Sequence, residues 1–177
     1  MTIKLNNLFI PLIVFFSGFC SLVYQVSWER IIKSNLGGDQ ISSFIVTSSF
    51  LIGLGFGAYI FRRRFVNPIK AYAVIEFFIA CFAFLSYFVF TSLISYMNEV
   101  VLTLEHIAYL RVNTIFLSFL LLIPPCILIG GTLPVLFDSF LNEKNYSSKN
   151  IGFIYGLNTL GACVGISSIP IIFFNQI

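Results

Sequence analysis

Five long, mostly apolar stretches dominate this sequence, at residues 8–28, 41–61, 71–93, 114–137 and 151–174. A helix rises about 1.5 Å per residue, so about 20 residues cross a hydrocarbon layer of about 30 Å, and each stretch is long enough. Within that layer the backbone finds no water and must satisfy its own N–H and C=O groups, which only helices and closed barrels achieve. A barrel strand reads as about ten residues of alternating polarity, whereas these runs are continuous. The sequence therefore predicts an all-α integral membrane bundle of about five transmembrane helices, occupying 1–177 as a single membrane domain. A composition of 58% hydrophobic and 10% charged residues excludes an ordinary soluble domain.

The formal net charge of +3 does not point to nucleic acid, because the cations sort by side of the membrane. With the N-terminus inside, the inner face receives Lys4, Arg62, Arg63, Arg64, Lys70, Lys144 and Lys149, and the outer face Arg30, Lys33 and Arg111. This distribution predicts a multi-pass protein of the cell membrane with a cytoplasmic N-terminus and an external C-terminus. The lipid bilayer is the first expected partner. The Arg62-Arg63-Arg64 run directly after the second stretch reads as an orientation anchor, with anionic-lipid binding as the alternative.

The connections are short. Gly37-Gly38-Asp39 marks an external turn, and Asn67-Pro68 ends the second helix side and positions the third. Between Asn98 and Asn113, polar Glu99, Glu105, His106 and Arg111 alternate with Val101, Leu104, Ile107, Ala108 and Leu110, a spacing that suggests an amphipathic helix on the outer interface. Residues 142–150 read as a plain cytoplasmic loop. Cys20, Cys81, Cys126 and Cys163 all lie in apolar stretches and read as small hydrophobes, so neither a disulfide nor a metal is expected. The sequence carries no phosphate-cradling glycine loop, paired carboxylates or metal-spaced Cys/His set, and no cofactor or catalytic residue is assigned.

Small residues recur at helix-packing spacing in Gly53 with Gly57, Gly152 with Gly156 and Gly161 with Gly165. Lipid removes the hydrophobic drive for helix association, so these pairs read as sites of close backbone approach. Pro124-Pro125, near the middle of the fourth stretch, predicts a helix kink, with Gly130, Gly131 and Pro134 adding irregularity beyond it. Proline kinks more often serve packing alone, and the alternative is a broken helix of the kind that lines substrate sites in transporters. Tyr24, Gln25, Trp28 and Arg30 mark the outer end of the first helix, where an interfacial aromatic belt accounts for Tyr24 and Trp28.

Glu76 lies inside the third stretch, where an acidic residue costs about 3 kcal/mol at the bilayer centre and normally faces a partner. Counting rise from the inner surface puts Thr132 and Asn158 at a similar depth, so Glu76, Thr132 and Asn158 are expected to form one buried polar cluster. Such a cluster is either a structural clamp or a proton or substrate site.

Several stretches together carry a family resemblance. They are Ser17-Gly18-Phe19 with Leu22 to Arg30, the glycine-rich 51–57, Tyr72 to Glu76, Gly130-Gly131-Thr132-Leu133-Pro134, and Tyr155 to Ala162, of which Asn158-Thr159-Leu160-Gly161-Ala162 is the most specific. Their order and spacing resemble the N-terminal membrane region of fused spermidine synthase-like proteins, which join a transporter-like helical bundle to a soluble aminopropyltransferase-like domain. Gln25 stands where that family usually has glutamate. The catalytic half of the family has no counterpart in these 177 residues, so the expectation is a membrane module without enzyme activity. It is expected to assemble with itself, as a homo-oligomer, or with another membrane subunit. The alternatives are an anchor or partner for a separate soluble synthase-like protein, and a transporter of a small cation or metabolite with its site near Glu76.

Overall fold

The computed structural model describes residues 9–36, 39–63, 65–101, 107–141 and 148–174. Lys4, Gly37, Gly38, Arg64, Glu105, His106 and Lys144, which entered the reading of the connections, lie outside them. Five helices make up the described residues: α1 Phe9–Leu36, α2 Asp39–Ile60, α3 Pro68–Val101, α4 Ile107–Leu141 and α5 Ser148–Phe174. All five are long and apolar enough to cross a membrane, over Phe9–Ser34, Gln40–Ile60, Pro68–Ser92, Val112–Ser139 and Asn150–Pro170.

Several helices outrun the hydrocarbon. At 34 and 35 residues, α3 and α4 are about 50 Å long. α1 continues to Leu36, so Glu29, Arg30 and Lys33 are helical rather than part of a connection. An apolar run ends where charge appears, but charge alone does not end a helix, and α1 carries on to Leu36. The separate amphipathic helix expected between Asn98 and Asn113 is not found. Residues 98–101 complete α3 and residues 107–113 open α4, leaving only 102–106 between them. Likewise α5 begins at Ser148, inside the expected cytoplasmic loop.

The helices pair as α2 on α4, α1 on α5 and α3 on α4, with α1 also touching α2, α3 and α4. Glycine explains the first two seams. A Cβ at Gly53 or Gly57 would overlap Cys126 or the Ile127 carbonyl of α4, and one at Gly130 would lie 2.6 Å from Leu54 Cα. On the other seam, a Cβ at Gly18 would overlap the Asn158 backbone, one at Gly161 the Phe15 carbonyl, and one at Gly165 would come within 2.6 Å of the Phe19 carbonyl. Backbones meet at these points because nothing projects between them, which is how lipid-embedded helices gain van der Waals contact. Gly152 and Gly156 do not belong to this set, since a Cβ on either would meet nothing within 4 Å. They sit on the face of α5 turned away from α1.

α4 runs through Pro124, Pro125 and Pro134 as one helix. It is not broken at the expected kink into the two half-helices of a discontinuous transporter segment. Pro125 is buried while Pro124 is exposed. Hydroxyls inside the spans mostly bond back to their own helix, as Ser21 does to the Ser17 carbonyl at 2.8 Å and Ser49 to the Ile45 carbonyl at 2.7 Å, which meets their polar need without a second helix.

Candidate functional site

Glu76 lies eight residues past the start of α3 at Pro68, and Ser17 eight past the start of α1 at Phe9. Two antiparallel reversals separate these helices, so both begin at the same face of the bundle and the two residues share a depth. They meet: Ser17 Oγ donates to Glu76 Oε1 at 2.5 Å. Tyr72, one turn before Glu76 on α3, is 7% exposed, and its hydroxyl lies near Ser17 and Glu76 but completes a hydrogen bond with neither.

Ser17 and Glu76 border a cleft of about 300 Å³ between α1 and α3. Ser17, Cys20, Ser21 and Tyr24 line it from α1, and Glu76 lines it from α3, with Ile13, Phe16, Ile79 and Ala80 as its apolar walls. No basic side chain is among the lining residues. The cleft thus offers one carboxylate, several hydroxyls and a hydrophobic wall, a donor set suited to a small positively charged group.

Glu76, Thr132 and Asn158 are expected to share one polar cluster, and each has a different neighbour in the structure. Thr132 is buried, but its hydroxyl donates to the Ile129 carbonyl of its own helix at 2.8 Å. Asn158 faces Gly18 across the α1–α5 seam. Among the described residues no hydrogen bond joins the three. Helical rise gives depth but not the direction in which a residue faces, and α5 packs on α1 rather than on α3. α1 therefore stands between them, turning Ser17 toward Glu76 and the adjacent Gly18 toward Asn158.

Ser17 and Tyr72 were missed, although both carried a signal. Ser17 shares its helix depth with Glu76, and Tyr72 shares its helix face by the four-residue spacing.

At the other end of α1, Tyr24 and Trp28 do share a face, with rings stacked at 6.0 Å. The interfacial-belt reading fails for Trp28, which is 3% exposed and donates from Nε1 to Ser86 Oγ of α3 at 2.9 Å. Buried indole N–H groups seek such partners. Glu29, on the next residue, accepts a hydrogen bond from Ser43 of α2. Arg30 is exposed and Gln25 half-buried.

Fold and cleft together define a multi-pass, all-helical membrane protein with one carboxylate set into a cleft at membrane depth. Comparison with protein-family models, curated proteins and solved structures found no match.

Proposed function

We propose that the chain is a membrane module that holds a small cation, most naturally a protonated amine, at Glu76. One observation carries this reading: the Glu76 carboxylate accepts a hydrogen bond from Ser17 and borders the α1–α3 cleft, on whose lining there is no cationic side chain. A carboxylate at membrane depth costs about 3 kcal/mol by insertion scales, and hydrogen bonds alone leave its charge uncompensated. An entering cation supplies that charge. The resemblance to spermidine synthase-like membrane regions favours an amine over a metal ion. The proposal assigns the chain no catalysis, and places its N-terminus in the cytoplasm from the cation distribution.

The test is binding and uptake of labelled spermidine by proteoliposomes containing the full chain. Glu76→Gln is expected to lose at least about tenfold in affinity, the loss of one charge-assisted contact. Wild-type behaviour of Glu76→Gln overturns the proposal.

A second element of the proposal is assembly with another copy or another membrane subunit, supported by the Gly152 and Gly156 face that none of the described residues covers. A monodisperse monomer in mild detergent and in nanodiscs contradicts it.

A further inference from the structure

Arg62 and Arg63 sit on a turn that is held more firmly than an orientation signal requires. The Phe61 N–H donates to the Gly57 carbonyl at 2.9 Å, ending α2, and the Phe61 ring lies so close over α4 that a Cβ at Gly131 would come within 2.5 Å of it. Phe65 stacks on Phe61 at 6.4 Å, and the Phe65 N–H donates to Asp138 Oδ2 at 2.8 Å. Asp138 is 5% exposed, so this clamp is buried. Two rings and one carboxylate thus fix the turn to the end of α4.

A cleft of about 480 Å³ opens at this turn, lined by Tyr59, Ile60, Phe61, Arg62, Arg63 and Phe65. The Arg62 guanidinium lies over the Tyr59 ring, 4.2 Å from its centre, which orients the planar fork while leaving its N–H donors free to bond outward. Both arginines are exposed, and neither forms an ion pair among the described residues. The Asp138 carboxylate is not on the lining.

We infer that this turn is a binding site for an acidic phospholipid, with Arg62 and Arg63 holding the headgroup phosphate and Tyr59, Ile60 and Phe61 lying along the start of its acyl chains. Guanidinium forks match phosphate oxygens in pairs. The site lies where the Gln40–Ile60 span ends, at the level of lipid headgroups, and its remaining walls are aromatic and aliphatic. A soluble anion has no use for such walls, whereas a phospholipid uses both parts. Net attraction of a basic face to an acidic leaflet needs neither the clamp nor the cleft.

The experiment is native mass spectrometry of the full chain titrated with phosphatidylglycerol or phosphatidylcholine. Wild type should retain phosphatidylglycerol in preference, by roughly tenfold, and Arg62→Gln with Arg63→Gln should reduce that preference to about twofold or less. Lys70→Gln removes a charge from the same face but outside the cleft, and should leave the preference within about twofold of wild type. An excess of inorganic phosphate should not displace the lipid. The inference is overturned by equal retention of the two lipids, by a loss in Lys70→Gln matching that of the Arg62→Gln, Arg63→Gln double variant, or by displacement with inorganic phosphate.

Discussion

Ser17 on α1 and Glu76 on α3 are joined by a 2.5 Å hydrogen bond between side chains 59 positions apart in sequence. This bond closes one side of α1, and the Gly18–Asn158 approach closes the other. Removing the hydroxyl in Ser17→Ala leaves Glu76 without its donor and should destabilise the bundle by about 1 kcal/mol, the usual worth of an interhelical polar contact in lipid. Ser17→Thr keeps the donor and should recover most of it. Unfolding of the reconstituted protein by steric trapping measures both. A Ser17→Ala variant as stable as wild type means that the bond contributes nothing.

Trp28 and Ser86 form the corresponding tie nearer the other end of the same helix pair, at 2.9 Å. Trp28→Phe keeps the ring and loses the N–H, with an expected loss of about 1 kcal/mol. Trp28→Ala also opens a cavity, for about 3–5 kcal/mol. In a double-mutant cycle with Ser86→Ala, the coupling should be about 0.6–1.7 kcal/mol. Zero coupling would mean that the Trp28–Ser86 hydrogen bond contributes nothing to the stability of the bundle.

The glycine pairs divide into two kinds of behaviour. Gly161→Leu, Gly165→Leu and Gly57→Leu force side-chain atoms into a facing backbone and should lower the folded fraction severely, read by protease resistance in detergent. Gly152→Leu and Gly156→Leu meet open space within the chain and should leave the folded fraction unchanged, while lowering the oligomer fraction in chemical cross-linking. If Gly152→Leu and Gly161→Leu unfold the protein equally, the α1–α5 seam is misplaced.

The five spans were legible because lipid sets a length and leaves the backbone one local solution, and both demands leave continuous apolar runs in sequence. Helix ends were less legible. At Glu29 to Leu36 charge returns while nothing yet breaks the helix, so the end of the apolar run and the end of α1 are eight residues apart. Gly161 and Gly165 face the α1 backbone closely, whereas Gly152 and Gly156 carry the same spacing and meet none of the described residues. Spacing shows that a helix face is smooth but not which neighbour uses it. Glu76 was recognised by its cost, and its partners were misassigned because helical rise orders residues by depth alone.

The proposed orientation rests on the positions of the cations, seven of which the reading puts on one side and three on the other of 10 in all. Reporter fusions after Arg64 and after Asn145 should read as cytoplasmic, and fusions after Gly38 and after Glu105 as external. A reversed pattern would turn the Arg62 and Arg63 cleft toward the outer leaflet.

The central claim is that Glu76 borders a cleft, open between α1 and α3, that receives a cationic group. A lipid-soluble carbodiimide partitions into the bilayer and couples to carboxyls it can reach there, so mapping the labelled peptide locates the accessible acid directly. Labelling is predicted at Glu76, lost in Glu76→Gln, and slowed by spermidine in proportion to its occupancy of the cleft. Absence of label at Glu76, or labelling at the same rate with saturating spermidine present, would contradict the account.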